Sequence, residues 1–212
     1  MADLFDLAGA IPPPKPTDRL FFALFPSDEA ITQIVKTSQQ LRAEHGLTGK
    51  SLSNDRLHVT LHHVGDYAGG LPSGLVEAAQ EAASKIAMPA FDVTFDRAMS
   101  FAGSPRNKPF VLRGNERINA GGEGGLAALM AFQKAFYLAM CRAGLQGPRC
   151  NAKFAPHVTL MYDSQGVGEQ AVDPVSWTAH DFVLVHSLIG QTKHIHLGRW
   201  PMHNSINSKY CS

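Results

Sequence analysis

The sequence predicts an α+β fold built as two pseudo-symmetric lobes of mainly antiparallel sheet with outer helices, set about a central cleft. Three observations carry this. A strand–helix–strand unit occurs twice along the 212 residues. The tetrapeptide His-Val-Thr-Leu, at positions 58–61 and 157–160, falls on the closing strand of each unit. Short alternating or fully apolar runs bounded by Gly and Pro mark further strands in hairpin order.

Residues 1–17 read as a flexible proline-rich arm, because Pro12, Pro13, Pro14 and Pro16 remove backbone donors and fix φ. A continuous apolar strand is expected over 20–25, closed by Pro26. Ser27, Asp28 and Glu29 then open a helix that runs to about His45 and stops at Gly46. The first motif strand covers 57–64 and ends at Gly65. An alanine-rich helix follows over 71–87, closed by Met88-Pro89.

Phe91, Val93 and Phe95 alternate as a strand, with a hairpin partner over 110–113. Residues 121–125 are glycine-rich, but they lack the Lys-Ser/Thr of a phosphate-binding loop and read as a flexible loop. Leu126, Leu129, Met130, Phe132, Phe136 and Leu138 recur at helical spacing and predict a buried helix ending near Gly144. The second motif strand spans 154–162. Residues 182–189 and 192–200 form a terminal hairpin about Gly190-Gln191. The folded unit is thus a single bilobal domain over 18–202, and 203–212 is a loose tail.

Composition restricts the function classes. A net charge of +1 gives no global basic field, so contact with nucleic acid has to come from a local patch or an end-group pocket. Cys141, Cys150 and Cys211 are an odd set without C-x-x-C spacing, which argues against a disulfide framework and a zinc ribbon and suits a reducing cytoplasm. Neither a signal peptide nor a membrane span is expected, and a monomer is the default.

The chemistry lies in the repeated tetrapeptide. Among ten histidines, two followed by the same three residues arise by composition with odds on the order of one in a hundred. Residues i and i+2 of a strand share a face, so His58 with Thr60 and His157 with Thr159 each present an imidazole beside a hydroxyl. Two such strands facing one cleft can line a tetrahedral phosphate. The threonines donate to non-bridging oxygens, one histidine takes a proton from the attacking group and the other protonates the leaving oxygen. A metal centre is not expected, because these strands lack the carboxylate or thiolate companions of a usual ligand set.

These motifs resemble those of the two-histidine phosphoesterases, and within them the RNA 2′,3′-cyclic phosphodiesterases also called 2′-5′ RNA ligases. The likeness covers about residues 18–202. Arg19-Leu20-Phe21-Phe22-Ala23-Leu24 is similar to the family's opening strand, and Asn54-Asp55-Arg56-Leu57-His58-Val59-Thr60-Leu61 to its first motif. Phe154-Ala155-Pro156-His157-Val158-Thr159-Leu160 is similar to the second motif, and Gly198-Arg199-Trp200 to the final strand.

The resemblance implies hydrolysis of a 2′,3′-cyclic phosphate to a 2′-phosphate, reversible 2′-5′ joining of RNA ends in some members, and no cofactor. RNA 3′ ends or small cyclic-phosphate nucleotides are the expected partners. A 2′-5′ oligoadenylate, another small cyclic phosphate, or a non-catalytic RNA-end or nucleotide-binding role are the alternatives. His58 is assigned as acid toward O3′ and His157 as base toward water.

Two departures from relatives stand out. Met161-Tyr162-Asp163 occupies a place where many carry a basic residue. His62 stands where a small residue is common, and reads as a solvated histidine at the cleft edge in preference to a substrate contact. His186, His194 and His196 read as exposed strand residues, and Phe21, Phe22 and Phe101 as core packing.

Overall fold

Local signals set the first elements of the computed structural model, which describes residues 13–114, 125–145, 147 and 154–202. Strand β1 (Asp18–Leu24) is buried at every position but Arg19, and from Leu20 onward it is a continuous apolar run. Helix α1 (Asp28–Glu44) begins where the Ser27 hydroxyl accepts from the Ala30 N–H at 3.3 Å, with Asp28 and Glu29 at the positive end of the helix dipole. It ends before Gly46, whose φ of +63° is the left-handed stop that glycine adopts without strain.

A 3-10 turn (Asn54–Arg56) leads into β2 (Val59–Tyr67) and α2 (Leu75–Ser84). The chain continues through β3 (Phe91–Ser100), β4 (Lys108–Arg113), α3 (Gly125–Arg142), β5 (His157–Asp163), β6 (Gln170–Ala179), β7 (Asp181–Leu188) and β8 (Lys193–Pro201).

The eight strands share one antiparallel sheet in the order β6-β3-β4-β5-β2-β1-β7-β8. Its centre is the weak point. β1 pairs with β2 over seven positions and β4 with β5 over six, whereas β2 and β5 meet through the single pair Val59↔Val158. The sheet is therefore two four-stranded halves joined at the motif strands, as the sequence predicts. Counted outward from that joint, each half runs motif strand, inner partner, third strand, edge strand.

Helix α3 ties the halves together. The Phe132 ring lies 5.5 Å from Phe91 of β3 and 5.8 Å from Phe182 of β7, so one side chain packs on both. Phe136 adds contacts to Phe22 at 4.9 Å and Phe182 at 5.3 Å, and Trp200 stacks on Phe182 at 5.5 Å. Each fully buried ring contributes about 1.5–3 kcal/mol by leaving water. The relative placement of the motif strands thus rests on a shared aromatic core.

The sequence reading assigns no element between 162 and 182, yet β6 lies there. Its Pro174 is tolerated since β6 is an edge strand, and Val175, Trp177 and Ala179 still alternate inward. Helix α2 starts at Leu75 instead of 71, since Gly74 takes φ +77° just before it. β2 continues through Gly65 to Tyr67. In α3 the buried residues are Leu126, Leu129, Phe132, Phe136 and Met140, while Met130 and Leu138 face outward.

Thr17 is already sewn in, its N–H donating to Tyr67 O and its carbonyl accepting from Ile189 N–H, both at 2.8 Å. The glycine-rich residues 121–124 and the tail 203–212 lie outside the described residues. Among the described residues no helix is long and apolar enough to cross a membrane.

Candidate active site

The two motif histidines are held in the same way. His58 Nδ1 lies 2.7 Å from the Arg56 carbonyl, and His157 Nδ1 lies 2.7 Å from the Ala155 carbonyl, each two residues upstream. A carbonyl only accepts, so Nδ1 carries the proton in both rings and the neutral form leaves its lone pair on Nε2. Thr60 and Thr159 follow two residues on. Both pairs line one cavity of about 520 Å³. Between them, Val59 and Val158 are fully buried and Leu61 and Leu160 nearly so, which fixes the opposite face of each strand in the core.

Burial governs the electrostatics. The His58 ring stacks on Phe21 at 5.0 Å, with Phe25 at 5.9 Å and the edge of His194 at 5.4 Å. Desolvation pushes its pKa down to about 3 against the Arg56 carbonyl, which favours the charged ring, and nearby His194 and His157 add to the depression. His157 packs edge-on to Phe101 at 4.9 Å. Its pKa is also lowered, by burial first and then by the Arg113 guanidinium, with the Ala155 carbonyl opposing. Burial therefore favours the neutral form of both rings, which leaves a lone pair on each Nε2.

His62 is not a solvated edge residue. The β1–β2 register runs Ala23↔Thr60, Phe22↔His62 and Phe21↔His63, so a bulge at Leu61 turns His62 to the face of Phe22. It is 7% exposed, its Nε2–H donates to Leu145 O at 2.8 Å, and Phe136 and Tyr137 flank it. The bulge turns His63 to the cleft face, where its Nε2–H donates to Asp66 Oδ1 at 2.9 Å, and both His62 and His63 line the cavity. Asp66 also binds Arg19 through two bonds of 2.6 and 2.8 Å, which with His63 hold its carboxyl down at about 2 against burial.

The histidines of the terminal hairpin differ from one another. His186 is partly buried and bonds Asp18 at 2.6 Å, and His196 is exposed beside Phe25. His194, which reads from sequence as an exposed strand residue, lines the cavity and touches Phe21 at 5.6 Å. Its position follows from the ladder Arg19↔Ser187↔His194 across β1, β7 and β8, and no local signal reports it. Phe21 and Phe101 likewise serve the site, while Phe22 is core.

After the second motif, Tyr162 stands on the cavity wall. Asp163 turns inward and accepts from the Thr48, Gly49 and Gln165 N–H groups at 2.8, 2.6 and 2.8 Å, which lowers its pKa. This pins the loop at 48–49 against β5. Gly49 is required there, because a Cβ would collide with the Tyr162 carbonyl. Among the described residues no group of three His, Cys, Asp or Glu is placed to hold a metal ion.

Solved structures of the same fold include a phosphoesterase, at 24% identity and TM-score 0.64 over 90% of this chain and 100% of that one. E. coli LigT without ligand is similar at 24% identity and TM-score 0.63, over the same shares. TT0787 of Thermus thermophilus matches at 18% identity and TM-score 0.64, over 88% of this chain and 99% of that one. LigT has also been solved with 3′-AMP, ATP and NADP+. No curated protein matches the sequence. The model of the 2′-5′ RNA ligase superfamily matches residues 26–188, which include both His-Val-Thr-Leu strands, and the chain belongs to that superfamily.

Proposed function

We propose that this protein is a metal-independent phosphodiesterase that opens the 2′,3′-cyclic phosphate at an RNA 3′ end to a 2′-phosphate, with reversible 2′-5′ joining when an RNA 5′-hydroxyl attacks in place of water. The observation that carries this reading is the duplicated His-Thr pair, each histidine fixed by a carbonyl two residues upstream and both pairs facing one cavity. The phosphates and nucleosides held by E. coli LigT are of the same chemical class as this substrate.

With the cyclic phosphate between the strands, the Thr60 and Thr159 hydroxyls donate to its non-bridging oxygens. His157 Nε2 takes a proton from water as the new P–O bond forms. The P–O3′ bond breaks, His58 Nε2–H gives its proton to O3′, and the phosphate stays on O2′. One histidine ends with the proton the other began with, so proton exchange with solvent resets the site.

The acid has to be loaded. Burial favours the neutral form of both rings, whereas the anionic phosphodiester favours a protonated imidazole beside it. A group needed protonated gives the alkaline limb of a rate profile, and kcat/KM reports the free enzyme while kcat reports the complex. The alkaline limb of kcat/KM should therefore lie below the ordinary histidine value of about 6.5, and that of kcat at higher pH. Steady-state rates across pH 4 to about 9 on a cyclic-phosphate oligonucleotide test this. Coincident alkaline limbs contradict proton loading by the substrate, and rates independent of pH contradict the two-histidine mechanism itself.

A further inference from the structure

Among the described residues, six buried side-chain polar atoms lack a hydrogen-bond partner, and Arg56 Nε, His63 Nδ1 and His194 Nδ1 belong to residues that line the cleft. An unmet buried polar group costs roughly 1–3 kcal/mol, so its concentration in one cavity wall marks where a ligand supplies partners. His63 and Arg19 are engaged elsewhere by Asp66. Arg56 and His194 have no carboxylate within ion-pair distance among the described residues.

These two groups stand together beside His58. The His194 ring lies edge-on to His58 at 5.4 Å and to Phe21 at 5.6 Å. After burial, the Arg56 charge is the leading cause that lowers the His194 pKa, to about 4. At His58 the same charge is the weakest of the named causes, behind His194 and His157. Arg56 and His194 thus share the cavity wall beside His58, each with an unmet buried nitrogen. A cyclic phosphate held between His58 and His157 leaves this position for another anion.

We propose that Arg56 and His194 form a second anion subsite, so that the preferred substrate carries a phosphate group on its 5′ side in addition to the cyclic phosphate. This rests on the cyclic-phosphodiesterase reading above. An entering phosphate accepts from the Arg56 Nε–H and favours a protonated His194, a pair of charge-assisted bonds. The neighbouring Asp55 carboxylate supports the same protonation, while His196 and His58 oppose it. Either a 5′-monophosphate or the internal phosphodiester of a longer RNA end supplies this chemistry.

The test compares three substrates: adenosine 2′,3′-cyclic phosphate, the same compound with a 5′-phosphate, and a dinucleotide ending in the cyclic phosphate. Wild-type protein should favour one or both phosphate-bearing substrates in kcat/KM by about tenfold or more, mainly through KM. The preference should collapse in R56Q, persist in part in R56K, and weaken in H194Q, with urea-denaturation midpoints checked in parallel. R56Q leaves intact the backbone carbonyl that holds His58.

A preference for the dinucleotide alone identifies the internal phosphodiester. Absence of any preference in the wild type, or an equal fall in kcat on all three substrates in R56Q, overturns the subsite. If the wild type turns over none of them, the cyclic-phosphodiesterase reading fails on its own account. The subsite is then read by calorimetric titration with adenosine and 5′-AMP. Tighter binding of 5′-AMP that vanishes in R56Q supports the subsite, and equal affinities overturn it.

Discussion

His58→Ala and His157→Ala should each lower hydrolysis of a 2′,3′-cyclic phosphate RNA end by roughly a hundred- to ten-thousand-fold, the usual worth of a positioned acid or base. Both rings sit at the cavity wall, and their neighbours Val59 and Val158 hold the strands in the core. Each substitution removes one bond to a local carbonyl and leaves the sheet register in place. Single-turnover rates, with thermal melts of the same samples, separate lost chemistry from lost fold. Thr60→Ala and Thr159→Ala should cost less, about 1.5–3 kcal/mol each for a hydrogen bond to a charged oxygen. A wild-type rate in either histidine variant removes that residue from the mechanism.

A substrate whose leaving group departs without protonation should restore His58→Ala and leave His157→Ala inactive. The attacking water and the leaving O3′ lie on opposite sides of phosphorus, so the two imidazoles can divide the proton transfers without moving the phosphate. With a leaving group such as a nitrophenolate, the acid has little left to do. Recovery of His58→Ala by on the order of a hundredfold relative to His157→Ala then assigns the acid to His58. Recovery of His157→Ala instead reverses the roles, and equal failure of both means the two transfers are not separable.

The parts of this molecule that are legible from the sequence are those set by local forces. Ser27, Asp28 and Gly46 bound α1, and the i, i+2 rule puts His58 beside Thr60 and His157 beside Thr159. The parts that are not legible depend on register between distant strands. A single bulge at Leu61 exchanges the faces of His62 and His63, which no period-two reading of one strand reveals. β6 is hidden by Pro174, a residue that argues against a strand unless the strand is known to lie at an edge. His194 reaches the cleft only through β7, by pairing across from Ser187 and Arg19. Arg56 is visible in the lead-in to the first motif, but its buried, unpartnered Nε is a property of the folded wall.

The central claim is that the paired His-Thr strands open a cyclic phosphate without a metal. The most direct measurement is turnover of an oligonucleotide ending in a 2′,3′-cyclic phosphate in the presence of EDTA, with the position of the product phosphate determined. Undiminished turnover and a phosphate retained on O2′ are expected. Loss of activity in EDTA that a divalent cation restores, or a product bearing its phosphate on O3′, would contradict it.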